Sequence, residues 1–238
     1  MKSLFFGVLA AGIAAACAST TTTYVNDPAP KSPTDAGVDS ALPADAGLGV
    51  LGFRPAIAYS GFDGTHTFQI PVAVYNAGTD LTVTADDATA ATVTPTALLS
   101  PTKNGITDAG KYFLVTTKKA GTITLTARTN GQSATSTITV TAYGTDRWTT
   151  GQQRYLTGEG GDPPCTDCHA GTAGIDHSPA ALATVTDDAV GVTITTGVNP
   201  GGNTILIDGK PGHTWTATDA ELAGLVTYLR ALAPKGFE

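Results

Sequence analysis

The sequence predicts two domains, an all-β sandwich over residues 51–143 followed by a mainly α domain over residues 145–238. Three observations predict it. In the first region, short Thr- and Val-rich segments alternate apolar with polar residues, the period of a strand with one wet face. In the second, apolar residues recur at helical spacing behind a helix-cap signal. Across the chain aromatic residues are sparse, at 7%, while Thr, Ala, Gly and Val are abundant, a mix that suits strands and turns better than a large helical core.

The 238 residues leave room for one large or two small domains. Acidic residues outnumber basic ones, 20 to 13, for a net charge of −7, so nucleic acid is not an expected partner. The same balance argues against an anionic membrane surface, leaving an anchor as the expected route to a membrane.

Residues 1–17 read as an export signal: Lys2 supplies the positive end, "LFFGVLAAGIAAA" the apolar stretch, and small residues lead to Cys17. The apolar stretch is shorter than the roughly 20 residues a membrane-spanning helix needs. "AAAC" followed by Ala18 and Ser19 resembles a lipoprotein signal, which implies that Cys17 becomes the lipidated first residue of the mature chain. Ordinary cleavage after "ACA" is the alternative, and Ala14 departs from the Leu that lipoprotein signals most often carry there. Cysteine count favours lipidation, because Cys165 and Cys168 form a unit and leave Cys17 odd in an exported chain. The expected location is periplasmic or cell-surface.

Residues 18–50, rich in Thr, Pro, Asp, Ala and Gly, bury too little apolar surface to offset the entropy of ordering them and read as a tether. Beyond it "THTFQIPVAVYN", "DLTVTADDATAATVTP", "KYFLVTTKK" and "GTITLTARTNGQSATSTITVTAY" are expected strands. In the last, Ile123 and Leu125 alternate with Thr up to Asn130-Gly131, and Ile138 and Val140 alternate after it. Asn-Gly suits a type I′ hairpin turn, whose two central positions need positive φ. Several such strands suggest an antiparallel sandwich. "TVTADDATAATVTP" and "TTKKAGTITLTARTNGQSATSTITVT" resemble the bacterial immunoglobulin-like domains of cell-surface proteins, which implies a spacing or adhesive job. No titratable constellation falls in this region, and His66 reads as an ordinary surface or partly packed histidine.

The helical period returns at Thr145. "DRWTTGQQRYL" is an expected helix capped by Asp146 or Thr145. "TDAELAGLVTYLRAL" carries a capping box in Thr218 and Glu221, then Leu222, Leu225, Val226, Leu229 and Leu232 at helical spacing, with Pro234 and Gly236 closing it. "TDDAVGVTITTG" is a short helix from Thr186 or a strand, and "NTILIDGK" an extended piece with an Asp-Gly turn.

The chemistry concentrates in "PPCTDCHAG". Cys165-Thr166-Asp167-Cys168-His169 fits c-type haem attachment, in which two thiols add across the haem vinyl groups and the following imidazole reaches the iron. An exported chain is the right setting for that reaction. A structural disulfide, a thioredoxin-like pair and half a zinc site compete for the same residues. So short a disulfide loop would stabilise little. A thioredoxin-like pair lacks its βαβ frame, and a four-ligand zinc site would need distant histidines.

The motif lies between the two expected helices, a layout that resembles class I cytochromes c. Gly151 and Tyr155 in "TTGQQRYL", with Leu225 and Tyr228 in "GLVTYLRAL", match that family's helix-crossing pairs. The resemblance implies a cytochrome c-like haem domain with one covalent haem c, iron, and His169 as proximal ligand. It also implies a proline carbonyl holding the proximal imidazole, for which Pro179 or its neighbours are in place. The family's usual distal methionine is missing, since Met1 belongs to the signal. At the corresponding place in "PGHTWTATDAEL" stands His213, the expected distal ligand. His177 is the alternative, an open or water-bound face is another, and Lys210 is a further candidate.

From Thr145 onward 11 acidic and 5 basic residues leave a net charge of −6 before any haem carboxylates. A redox partner with a basic docking patch is expected on that ground, with solubility alone as the other explanation. The expected function is electron transfer by an extracytoplasmic single-haem protein rather than an enzyme. The alternatives are a haem enzyme or gas sensor with an open distal face, or a surface binding or adhesion protein in which haem is secondary.

Overall fold

The computed structural model describes residues 49–97, 109–169, 176–207 and 210–235. The export signal, Cys17 and nearly all of the proposed tether lie outside the described residues.

Alternation of apolar residues builds two facing sheets. The strands are β1 (Gly52–Arg54), β2 (Ile57–Phe62), β3 (Phe68–Tyr75), β4 (Thr82–Ala85), β5 (Ala91–Thr96), β6 (Lys111–Thr117), β7 (Gly121–Thr129) and β8 (Gln132–Ala142). One sheet runs β1-β3-β6-β5 and the other β2-β8-β7-β4. Ile70, Val72 and Val74 of β3 meet Ile123 and Leu125 of β7 and Ile138 of β8 in one buried cluster. Each such side chain contributes about 1.5–3 kcal/mol by leaving water. Register follows the pattern: Ile123 lies opposite Ile138, and Ile70 opposite Val115. Asn130 and Gly131 both have positive φ, 48° and 74°, as a type I′ turn requires.

Two strands have no counterpart among the expected ones. β1 and β2 are separated by Pro55, and the chain changes sheets between them. β2 then pairs with β8 in parallel, Ala58 opposite Ile138, so the sandwich is not purely antiparallel. Parallel pairing joins residues from opposite ends of the sandwich sequence, and no local pattern encodes it.

After the sandwich come α1 (Arg147–Thr157), the single turn α2 (Thr166–His169), α3 (Asp187–Thr196), the strand pair β9 (Leu206–Ile207) and β10 (Lys210–Pro211), and α4 (Asp219–Arg230). α4 has the capping box expected of Thr218 and Glu221. "TDDAVGVTITTG" resolves as helix: the Thr186 hydroxyl accepts the Ala189 N–H, which starts α3 despite its β-branched residues. α1 crosses α4 at Gly151 and Gly224. A Cβ on Gly151 would lie 1.9 Å from the Gly224 carbonyl oxygen, so only glycine permits this approach.

The expected fold class, a sandwich followed by a mainly α cytochrome c-like haem domain, needs correction. Helix makes up 22% of the described residues, and the chain is mostly β, dominated by two four-stranded sheets. Gly158, Gly160, Gly161, Pro163 and Pro164 stop α1 and keep the stretch before Cys165 out of helix. A second glycine-rich stretch, from Gly197 to Gly212, separates α3 from α4. Among the described residues no group of three or more His, Cys, Asp or Glu is arranged to hold a metal ion.

Nor do the helices stand apart from the sandwich. The Tyr59 N–H of β2 donates to the Ala183 carbonyl at 2.8 Å, which covers part of an otherwise open strand edge. Arg230, at the end of α4 and 1% exposed, donates to the carbonyls of Tyr59 (3.3 Å), Leu182 (2.7 Å) and Val185, and to the Asp187 carboxylate (3.0 Å). The Tyr143 hydroxyl, just after β8, donates to the same carboxylate at 2.7 Å. Burial first, then the Asp187 charge, drives the Tyr143 hydroxyl well above the usual tyrosine range, so it stays a donor.

Candidate functional site

Local hydrogen bonding brings the Cys-Cys-His motif to the helices. The Cys165 N–H donates to the Tyr155 carbonyl at 2.9 Å, tying the motif to the last turns of α1. The N–H groups of Cys168 and His169 both donate to the Cys165 carbonyl, at 3.2 and 3.0 Å. That single turn carries Cys165 and His169 on one side, four residues apart. No disulfide joins Cys165 and Cys168.

Cys165 and His169 open onto a cavity of about 140 Å³. Leu182 and Val185, Val190 and Ile194 of α3, and Leu225 and Leu229 of α4 form its apolar walls. Tyr155, His177, Thr193, Pro200, His213 and Trp215 complete the lining. The structure therefore gathers Cys165, His169, His177 and His213 around one apolar space. Cys168 does not line it, Lys210 belongs to β10, and Cys17 is outside the described residues.

The imidazoles differ in their surroundings. The His169 ring centroid is 4.0 Å from that of His177 and 5.6 Å from that of His213. His177 Nε2 lies 2.7 Å from the Tyr155 hydroxyl. Nδ1 of His213 is buried and has no hydrogen-bond partner among the described residues. His213 also has φ of 56°, a left-handed conformation that non-glycine residues seldom adopt.

Burial sets the protonation states. It pushes His177 down to about 3, with the His169, Lys235 and His213 charges adding to the effect. Burial and then His169 lower His213 in the same sense, so both rings are neutral near pH 7 and able to offer a lone pair. Burial also raises the Cys165 thiol to about 12, against a smaller opposite pull from Arg154, and the Tyr155 hydroxyl to about 12.

Arg154 of α1, 3% exposed, fixes the two chain segments that supply the site. Its Nη2 donates to Asp162, just before the motif, at 2.9 Å, and the guanidinium lies 5.3 Å from the ring of Trp215, two residues beyond His213. Asp162 in turn accepts the Thr216 N–H at 3.0 Å. Sequence reasoning missed Arg154, Trp215 and Asp162, because the Arg154–Trp215 and Asp162–Thr216 contacts each span more than fifty residues.

His66, expected to be unremarkable in role, belongs to a row of rings that ends at the cavity. Its imidazole is 2.6 Å from Asp63 and stacks on Trp148 at 4.1 Å. Trp148 meets Tyr228 at 5.3 Å, Tyr228 meets Tyr155 at 5.0 Å, and Tyr155 meets His177 at 5.3 Å. The row links the loop between β2 and β3 to the cavity wall.

No protein-family model matches this chain, and no curated protein matches it. Some solved structures do. The S-layer protein SbsC is similar at 17% identity and a TM-score of 0.30, covering 40% of this chain and 13% of that one. Domains 4 and 5 of the same protein are similar at 18% identity and a TM-score of 0.28, covering 39% and 51%. An endo-fucoidan hydrolase from glycoside hydrolase family 107 is similar at 19% identity and a TM-score of 0.27, covering 42% and 14%. The chain thus spans well under two thirds of each, and no functional conclusion rests on these likenesses.

Proposed function

We propose that this chain is an exported c-type haem protein that transfers electrons, with one haem bound covalently through Cys165 and Cys168. His169 is the proximal iron ligand in this reading and His213 the distal one. The observation that carries it is the convergence of Cys165, His169 and His213 on one apolar cavity.

The residues present fit a haem by chemistry. Two thiols and an adjacent imidazole are the attachment set, the walls are apolar, and a second neutral imidazole has a buried nitrogen without a partner. The cavity's 140 Å³ is below the roughly 300–1,000 Å³ of pockets for drug-sized ligands, so the walls would have to part around a macrocycle. A bound haem supplies a one-electron ferric–ferrous couple.

The chain's own residues do the rest. Neutral His213 offers a nitrogen lone pair without first losing a proton. Leu182, Val190, Ile194, Leu225 and Leu229 exclude water and lower the local dielectric, which sets how strongly a change of charge is felt. Tyr155 engages His177 Nε2, so His177 ranks behind His213 as the distal ligand. Burial raises the Cys165 thiol to about 12, which makes it a weaker nucleophile in the folded chain. Histidine in place of methionine lowers the reduction potential. The acidic charge beyond Thr145 suits a redox partner with a basic face. Export, and lipid attachment at Cys17, rest on the N-terminal sequence.

The mostly β build favours a second reading, a surface binding or adhesion protein in which haem is secondary. The test is the visible spectrum, oxidised and dithionite-reduced, of chain co-expressed with c-type haem maturation machinery. A covalently held haem with a sharp low-spin α-band, lost in Cys165→Ser/Cys168→Ser, is expected. A high-spin spectrum would favour an enzyme or sensor with an open face. No haem would leave the surface-binding reading in front.

A further inference from the structure

We infer that Gly197, the residue that caps the C-terminus of α3, is a positioning residue that sets where the His213 imidazole stands. The inference rests on the haem reading only in taking His213 as an iron ligand. α3 ends at Thr196 and is capped by Gly197, whose φ of 69° is left-handed and whose N–H donates to the Thr193 carbonyl at 3.0 Å. The Gly197 carbonyl accepts the Ile205 N–H at 2.6 Å, and the Ile205 carbonyl accepts the Gly212 N–H at 2.8 Å. On the far side of His213, the Trp215 N–H donates to the Ile194 carbonyl of α3 at 3.4 Å. Gly212, through Ile205, and Trp215 are therefore both tied to the C-terminal end of α3.

The contact at Gly197 is also steric. A Cβ there would lie 1.9 Å from the Gly212 carbonyl oxygen, backbone against backbone, with no flexible side chain to yield. Gly212 immediately precedes His213, so any relief displaces that residue. His213 has a left-handed φ of 56°, and a conformation of this kind persists only where the surroundings over-determine it. The two tethers and the close approach at Gly197 are those surroundings. Without them His213 would relax to ordinary backbone and turn its ring away from the cavity.

The test compares Gly197→Ala with Gly202→Ala in the full haem-loaded chain. Gly202 has a comparable φ of 77° and nothing within 4 Å of its would-be Cβ, so it reproduces the backbone strain without the collision. Gly197→Ala is expected to keep covalent haem by mass, to lose the low-spin α-band, and to bind carbon monoxide rapidly. Added imidazole should restore the low-spin band, while Gly202→Ala keeps the wild-type spectrum throughout. Should Gly197→Ala fail to fold, Gly197→Asn carries the same Cβ on a residue that tolerates left-handed backbone better. Wild-type spectra in both Gly197 variants would overturn the inference, as would a high-spin wild type. A wild type that takes up no haem would instead overturn the haem reading. The clamp would then be judged in the haem-free protein by the His213 imidazole NMR cross-peak, displaced in Gly197→Ala but not in Gly202→Ala if it is right, and unmoved in both if it is wrong.

Discussion

Removing Arg230 should separate the stability of the helices from that of the sandwich. Its guanidinium is buried at the seam and donates to the carbonyls of Tyr59 on β2 and of Leu182 and Val185 in the segment before α3. It also holds the Asp187 carboxylate, which is 25% exposed and shared with the Tyr143 hydroxyl. Arg230→Met keeps the length of the stem and removes every donor. Breaking a buried pair by deleting one partner costs about 3–5 kcal/mol, and three carbonyls lose the guanidinium in the same step, that of Leu182 keeping the Val185 N–H. Because Asp187 retains Tyr143 and some solvent, the lower part of that range is expected, about 3 kcal/mol. The assay is urea unfolding of the haem-free chain, followed by tryptophan fluorescence and by far-ultraviolet circular dichroism. Trp148 and Trp215 both belong to the C-terminal region, so fluorescence reads the helices while dichroism is weighted to the strands. In the wild type the two transitions should coincide. With a slope of about 2 kcal/mol per molar urea, the fluorescence midpoint of Arg230→Met should fall by roughly 1.5 M and part from the dichroism transition. A loss below about 1 kcal/mol, or transitions that still coincide, would show that the seam does not depend on this side chain.

Three further outcomes are expected. Gly151→Ala should lower the thermal midpoint by an amount equivalent to about 1–3 kcal/mol, because its Cβ meets the Gly224 carbonyl oxygen at 1.9 Å and the helices must separate; an unchanged midpoint would mean the crossing is looser than it stands here. Burial pushes the Asp63 carboxyl up, but the N–H groups of His66 and Thr65 and the His66 imidazole together hold it below its ordinary value. A depressed folded pKa contributes stability that is present above the unfolded value, about 3.9, and lost as pH falls through the folded one. Acid titration of stability should therefore show a loss below about pH 4 that is weaker in Asp63→Asn, with equal slopes counting against it. Finally, in haem-loaded protein His213→Ala should abolish the low-spin spectrum while His177→Ala retains it; the reverse result would transfer the distal role to His177.

The sequence by itself determined the elements whose information is local. Alternating Ile, Leu and Val against Thr specified β7 and β8, since side chains on a pleated strand face opposite ways with period two. Asn130-Gly131 specified their turn, and Thr218 with Glu221 specified where α4 begins, because each acts on backbone groups within three residues. The spacing of Cys165, Cys168 and His169 is the sequence signal from which the haem proposal starts. Tertiary structure decided what depends on distant partners. The parallel pairing of β2 with β8, the Arg230 seam and the Asp162–Thr216 tie join residues far apart in the chain, and no local pattern records them. Helical periodicity in two stretches suggested a mainly α second domain, yet Gly and Pro between them keep most of the described residues there out of helix. His66 was legible only as a histidine beside a strand; its stacking on Trp148 exists because the β2–β3 loop meets α1. The difference between His213 and His177 likewise lay beyond the sequence, because it turns on which imidazole a distant tyrosine occupies and which one a glycine-lined backbone holds against the cavity.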